Sequence, residues 1–180
     1  PSQRRCTYAQ MHERVGRVAT WLQSLGVGPG DRVGVLALNS LDTMDIVFAT
    51  WRIGAVHLAL NFRLTAPELD FIIGDAEPSV VIFDVELSET VEALTVDIPH
   101  LVSTEGRGAE SEFESAIIGL TPILEMVPLK PEDQCMLMYS SGTTGLPKGV
   151  IMTHGMMVWA QVNASSMYCN PDIVGIAVKH

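Results

Sequence analysis

Apolar residues in the first half of this chain keep switching period. Met11, Val15, Val18, Leu22 and Leu25 recur at i, i+4, i+7, i+11 and i+14, one stripe of an α-helix. Arg32-Val33-Gly34-Val35-Leu36-Ala37-Leu38 then reads as a strand. Leu41, Met44, Val47, Phe48 and Trp51 make a second helical stripe, followed by the strand-like run Ala55-Val56-His57-Leu58-Ala59-Leu60. Leu69, Ile72 and Ile73 mark a short third helix ahead of the buried strand Ser79-Val80-Val81-Ile82-Phe83-Asp84. Helix and strand in strict alternation build a parallel sheet with helices packed on it, joined by right-handed crossovers. The expected fold class is α/β.

The punctuation agrees with the periods. Thr7-Tyr8-Ala9-Gln10 and Thr65-Ala66-Pro67-Glu68 have the form of capping boxes, the second with proline in the first turn. Asn39 and Ser40 can cap the second helix, and Gly26 and Gly54 end the first two. Val27 to Asp31 is a turn, with Pro29 and Gly30 at its centre. His57 sits inside an apolar run and reads as a core or edge histidine, not a catalytic one. Ser88 to Leu94 is a short helix and Leu101-Val102 a short strand. Thr104 to Ser115 carries Glu105, Glu110, Glu112 and Glu114 at irregular spacing and reads as a solvated loop, not a metal site.

Composition excludes several classes. The 180 residues are 47% hydrophobic, enough for one real core. No uninterrupted apolar run approaches the roughly 18 residues that span a bilayer. The formal net charge is −10, and Arg4, Arg5, Arg14 and Arg17 do not form the basic cluster that nucleic acid requires. Cys6, Cys135 and Cys169 have neither metal-ligand spacing nor a disulfide pattern, which suits a reducing cytoplasm. No apolar signal segment opens the chain, and Pro1 is not a start methionine, so preceding residues are expected to have been removed or left out.

One stretch carries chemistry. Tyr139-Ser140-Ser141-Gly142-Thr143-Thr144-Gly145-Leu146-Pro147-Lys148-Gly149 lies between the strand-like runs Cys135 to Met138 and Val150 to Met152, after the polar connector Pro128 to Asp133. Glycines let backbone N–H groups approach a bulky anion, and successive N–H groups can form an anion-binding nest. The hydroxyls can donate to phosphate oxygens, and Lys148 adds a cation on a long stem. A bland Ser/Gly turn that binds nothing has no need of this set. The usual nucleotide loop reads G-x-x-x-x-G-K-[ST] and opens a helix; here the glycines are closer and the lysine follows Pro147.

Every position from Leu137 to Lys148 fits the phosphate-loop signature of the adenylate-forming superfamily, which this stretch resembles. Leu25 to Val33, Asn61-Phe62-Arg63-Leu64-Thr65 and Glu68-Leu69 look like the start of an acyl-CoA synthetase. Peptide-synthetase adenylation domains favour proline and aspartate where Asn61 and Arg63 stand. Those two residues read as a loop cap and a surface ion-pair partner.

The resemblance implies activation of a carboxylic acid, a fatty acid first, by ATP with Mg²⁺ through an acyl-adenylate, then thioester formation with coenzyme A. It implies nucleotide binding by Ser140, Ser141, Gly142, Thr143, Thr144, Gly145 and Lys148, with Lys148 and Thr143 the catalytic pair and no metal ligand in this chain. It further implies the first third of a larger enzyme, part of its large N-terminal domain. Residues 1–128 would be a first α/β part and 129–180 the loop segment and the start of the next subdomain. The C-terminal domain would be absent and the piece inactive alone. A homodimer is expected of the whole. A domain loading a carrier protein and a non-catalytic nucleotide-binding homologue stay open as alternatives.

After the loop, Thr153 caps a helix through Met156, Met157, Trp159, Ala160, Val162 and Met167. Asn often stands in family members where Met156 does. The methionines read as core filling rather than an acyl pocket. Asn170-Pro171-Asp172 should break the helix before a new element at Ile173 to Val178.

Overall fold

The structure is a computed structural model that describes residues 5–104, 111–140 and 146–168. Its helices are α1 (Tyr8–Ser24), α2 (Leu41–Arg52), α3 (Ala66–Ala76), α4 (Ser88–Glu92), α5 (Glu112–Ile117) and α6 (His154–Tyr168). Its strands are β1 (Arg32–Leu36), β2 (Val56–Ala59), β3 (Val80–Phe83), β4 (Leu101–Ser103), β5 (Gln134–Ser140) and β6 (Lys148–Thr153). Among the described residues one sheet takes six strands in the order β4-β3-β1-β2-β5-β6. The first five run parallel; β6 turns back against β5 as a hairpin. The expected α/β architecture is present, with an antiparallel edge where only parallel pairing was expected.

Strand alternation divides two cores. Val33, Val35, Val80 and Ile82 face α1, α2 and α5, meeting Val18, Trp21, Leu22, Ile46, Ile53 and Phe113. Leu36, Leu58, Val81 and Phe83 face the other way, onto Leu69, Ile72, Ile73 and Val91. Strands covered on both sides read as continuous apolar runs, which is why they were legible. Each large apolar side chain fully buried here contributes about 1.5–3 kcal/mol.

The first helix begins as expected. Thr7 N donates to Gln10 Oε1 at 2.9 Å, and Gln10 N donates to Thr7 Oγ1 at 3.2 Å. At α3, Thr65 N donates to Glu68 Oε2 at 2.8 Å. Asn61 Oδ1 accepts from Arg63 N at 3.0 Å, the loop cap expected of it. Arg63 stacks on Phe62 and forms no ion pair among the described residues.

Two further expectations are corrected. The buried face of α2 is Asp45, Ile46, Ala49, Thr50 and Arg52, whereas Met44 and Phe48 are exposed. Small Ala49 and Thr50 let α2 approach closely, and Asp45 can be buried because Arg14 meets it. A hydropathy stripe registers neither effect. The acidic stretch is also not all loop. Ser111 Oγ accepts from Glu114 N at 2.8 Å and starts α5, which buries Phe113 and Ile117 against α1. Phe113 meets Trp21 edge-on at 5.5 Å. Glu105 and Glu110 lie outside the described residues, as do Arg4, Cys169 and everything from Asn170 to the end.

Residues 118–133 run back along α1 and the end of α2. Thr20 Oγ1 donates to Thr121 O at 2.7 Å, Arg52 Nη1 to Ile123 O at 2.9 Å, and Val127 N to Arg52 O at 3.0 Å. The strap delivers the chain to β5.

Candidate functional site

Open α/β sheets bind ligands outside the carboxyl ends of their strands. The connection that leaves the carboxyl end of β5 is residues 141–147. Its two ends face each other, Ser140 paired with Lys148 and Tyr139 with Gly149 across the ladder. Ser140 and Lys148 are both exposed. Among the described residues the Lys148 side chain makes no hydrogen bond or ion pair. The structure thus brings together two of the residues expected to bind nucleotide. The other five, Ser141, Gly142, Thr143, Thr144 and Gly145, lie outside the described residues.

Two anchors hold this hairpin, one on each face of the sheet. On the α3 face, the Tyr139 hydroxyl donates to the Asp75 carboxylate. Burial first, then the hydrogen bond and charge of Asp75, push the phenol pKa well above its ordinary value, while Arg32 works against the rise. Arg32 itself donates Nε to Ala76 O at 2.7 Å and Nη2 to Glu77 O at 2.9 Å, a cation on the C-terminal carbonyls of α3. A Cβ on Gly149 would stand 3.2 Å from Leu137 Cδ1 and 3.4 Å from the Tyr139 ring. Glycine there lets the ring lie across the partner strand.

On the α2 face, Trp51 Nε1 donates to Cys135 O at 2.8 Å. The Trp51 ring meets His154 edge-on at 5.9 Å and Phe48 at 5.7 Å. His154 N donates to Asp133 O at 3.0 Å and Gly155 N to Pro131 O at 2.8 Å, fixing the turn from β6 into α6. Thr153 Oγ1 accepts from Met156 N at 3.3 Å, the cap expected of it. Burial pushes the His154 pKa down, partly offset by Asp133. His57, 5% exposed, lies inside the sheet as a core histidine.

This mouth suits an anion. In a chain of net charge −10, an exposed lysine beside a hydroxyl at a strand's carboxyl end is a local reversal of sign. Among the described residues no group of three or more His, Cys, Asp or Glu could hold a metal ion. Sequence reasoning gave Asp75, Tyr139, Trp51 and Arg32 no part in anchoring the loop. The aromatic residue opening the loop segment was the one available signal; the others come from distant elements.

The family model described as AMP-binding enzyme matches residues 1–176. The chain is 40% identical over 158 residues to a feruloyl-CoA synthase of Amycolatopsis sp, covering 87% of this chain and 30% of the relative. It is 38% identical over 152 residues to a long-chain-fatty-acid–CoA ligase of Mycobacterium tuberculosis, covering 83% of this chain and 30% of the relative. Among solved structures, ATP-bound MatB from Rhodopseudomonas palustris superposes with a TM-score of 0.77 at 30% identity, over 89% of this chain and 32% of that one. The chain therefore spans about 30% of the length of the curated relatives it matches. Fold, loop signature and relatives agree: the chain belongs to the AMP-binding enzyme family, whose members similar to it are acid–thiol ligases.

Proposed function

We propose that the protein carrying this chain joins a carboxylic acid to coenzyme A in two steps, and that residues 140–148 hold the phosphates of ATP. The observation that carries this reading is the Ser140–Lys148 pair, closing a Ser/Thr/Gly loop at the carboxyl end of a strand. A carboxylate attacks the α-phosphorus of ATP, giving an acyl-adenylate and pyrophosphate. A thiol then displaces AMP and forms the thioester. The departing pyrophosphate gains charge in the first transition state, and donors already aimed at it stabilise that charge. Ser141, Thr143 and Thr144 would hold β- and γ-oxygens, Gly142 and Gly145 would permit close approach, and Lys148 would neutralise the leaving group. The first step needs no base, since the attacking carboxylate is already an anion. Mg²⁺ bound to the triphosphate would share its charge. Clamping ATP beside the acid also supplies orientation.

The acid is a fatty or an aryl carboxylic acid in this reading, because the similar proteins include a feruloyl-CoA synthase and a long-chain-fatty-acid–CoA ligase. The division into 1–128 and 129–180 belongs to the same proposal, as do a cytoplasmic setting and inactivity of this chain on its own. The test is exchange of labelled pyrophosphate into ATP by the full-length protein, across a panel of fatty and aromatic acids. Exchange that depends on one acid class supports the reading. Exchange with none of them, in a folded protein, overturns it.

A further inference from the structure

We infer that Tyr139 and Asp75 are a positioning pair for the nucleotide loop, tying its mouth to the last turn of α3; this rests on the nucleotide reading above. Three observations converge. The Tyr139 hydroxyl donates to the Asp75 carboxylate, one residue before the loop leaves the sheet. The backbone that carries Asp75 is held, because Arg32 on β1 grips the next two carbonyls, Ala76 O at 2.7 Å and Glu77 O at 2.9 Å. The Tyr139 ring also lies over Gly149, its cross-strand partner, so one side chain touches both strands of the hairpin.

The next pair along the ladder is Ser140 and Lys148. A phenylalanine would fill the same space against Gly149 and Leu137. The hydroxyl adds a charge-assisted hydrogen bond, which is directional and stronger than a neutral one. It fixes where the ring stands, and through the ladder it fixes the spacing of Ser140 and Lys148. α3, which itself supplies no residue to the mouth, is coupled to it.

The test uses the full-length protein that carries this chain, with Tyr139→Phe, Asp75→Ala, Asp75→Asn and the double variant Tyr139→Phe/Asp75→Ala. Amide hydrogen exchange at residues 140 and 148–150 reads the mouth without nucleotide. Phosphorus NMR line broadening of MgATP reads binding into the millimolar range. Tyr139→Phe and Asp75→Ala should each speed exchange at the mouth and weaken MgATP about 3- to 10-fold. Asp75→Asn, whose amide oxygen still accepts, should recover most of both. The double variant should go no further than either single, as coupled residues do. If Tyr139→Phe unfolds, the two Asp75 variants carry the comparison.

Unchanged exchange at the mouth overturns the tie. Faster exchange with unchanged MgATP affinity overturns the positioning role. If the wild-type full-length protein shows normal exchange but no MgATP broadening, the nucleotide reading falls and takes the positioning role with it, while the tie stands on the exchange data.

Discussion

Arg14 on α1 donates Nε to Oδ2 of Asp45 on α2 at 2.7 Å, and Asp45 is 1% exposed. The same guanidinium donates Nη2 to Asp42 at 2.9 Å and Nη1 to Glu114 at 2.8 Å, and it stands 5.7 Å from the Phe113 ring. Burial works to lower the Arg14 pKa, but Glu114, Asp42 and Asp45 outweigh it and hold the charge more firmly than usual. One side chain joins three helices. Removing one partner of a buried pair costs far more than replacing both. Arg14→Met should therefore destabilise the chain by about 3 kcal/mol in urea unfolding. Arg14→Lys should recover less than half of that, because one ammonium cannot span the fork. A loss under about 1 kcal/mol would mean Asp45 is adequately solvated by other groups.

Gly16 sets two effects against each other. Alanine in a helix interior gains about 0.8–1 kcal/mol over glycine. At Gly16, however, a Cβ would stand 2.7 Å from both Ile123 O and Pro122 Cβ of the strap. Ile123 N also donates to Gly16 O at 3.2 Å, so the strap cannot lift without losing that bond. Overpacking of this kind costs about 1–3 kcal/mol. The clash should win, and Gly16→Ala should lower the urea midpoint with an unchanged slope. A raised midpoint would show the strap yields easily.

The sequence exposed whatever was encoded locally. The doubly buried strands β1 and β3, the α1 stripe and the caps at Thr7 and Ser40 each depend on residues a few places apart. Legibility failed where a distant residue decides. Asp45 faces inward because Arg14 is there, 31 positions earlier. Phe113 was hidden in a run of glutamates, one of which, Glu114, is recruited by Arg14 from 100 positions away. The same division holds at the mouth. Ser140 and Lys148 announced themselves through the loop signature. Asp75, 64 positions from Tyr139, could not.

His57 predicts an acid weakness. It pairs with Val33 across the sheet, on the face covered by α1 and α2, and its Nδ1 has no hydrogen-bond partner among the described residues. Burial pushes its pKa down from 6.5 to about 4. The unfolded chain therefore takes up a proton below about pH 6.5 that the folded chain refuses until about pH 4. Stability should fall as pH drops through that window, by up to about 3 kcal/mol from this residue. His154, whose pKa is also lowered, adds in the same direction. His57→Leu should flatten the decline. Urea unfolding of both proteins at pH 7 and pH 4.5 checks it. Parallel curves would show that His57 is protonated at little cost in the fold.

Lys148 separates function from stability. Its side chain is exposed and meets no hydrogen-bond or ion-pair partner among the described residues, so Lys148→Ala should leave the unfolding midpoint of the chain in place. Under the proposed function, the same change in the full-length protein would remove the cation that neutralises the leaving pyrophosphate. Losing one such group should slow adenylation by roughly 10- to 1000-fold, read as pyrophosphate exchange into ATP. Lys148→Arg keeps the charge but presents a planar fork in place of a compact ammonium, so it should fall between wild type and alanine. A stable Lys148→Ala enzyme that exchanges at the wild-type rate would place this side chain away from the phosphates. The exposed cation at the hairpin mouth would then be ordinary surface charge.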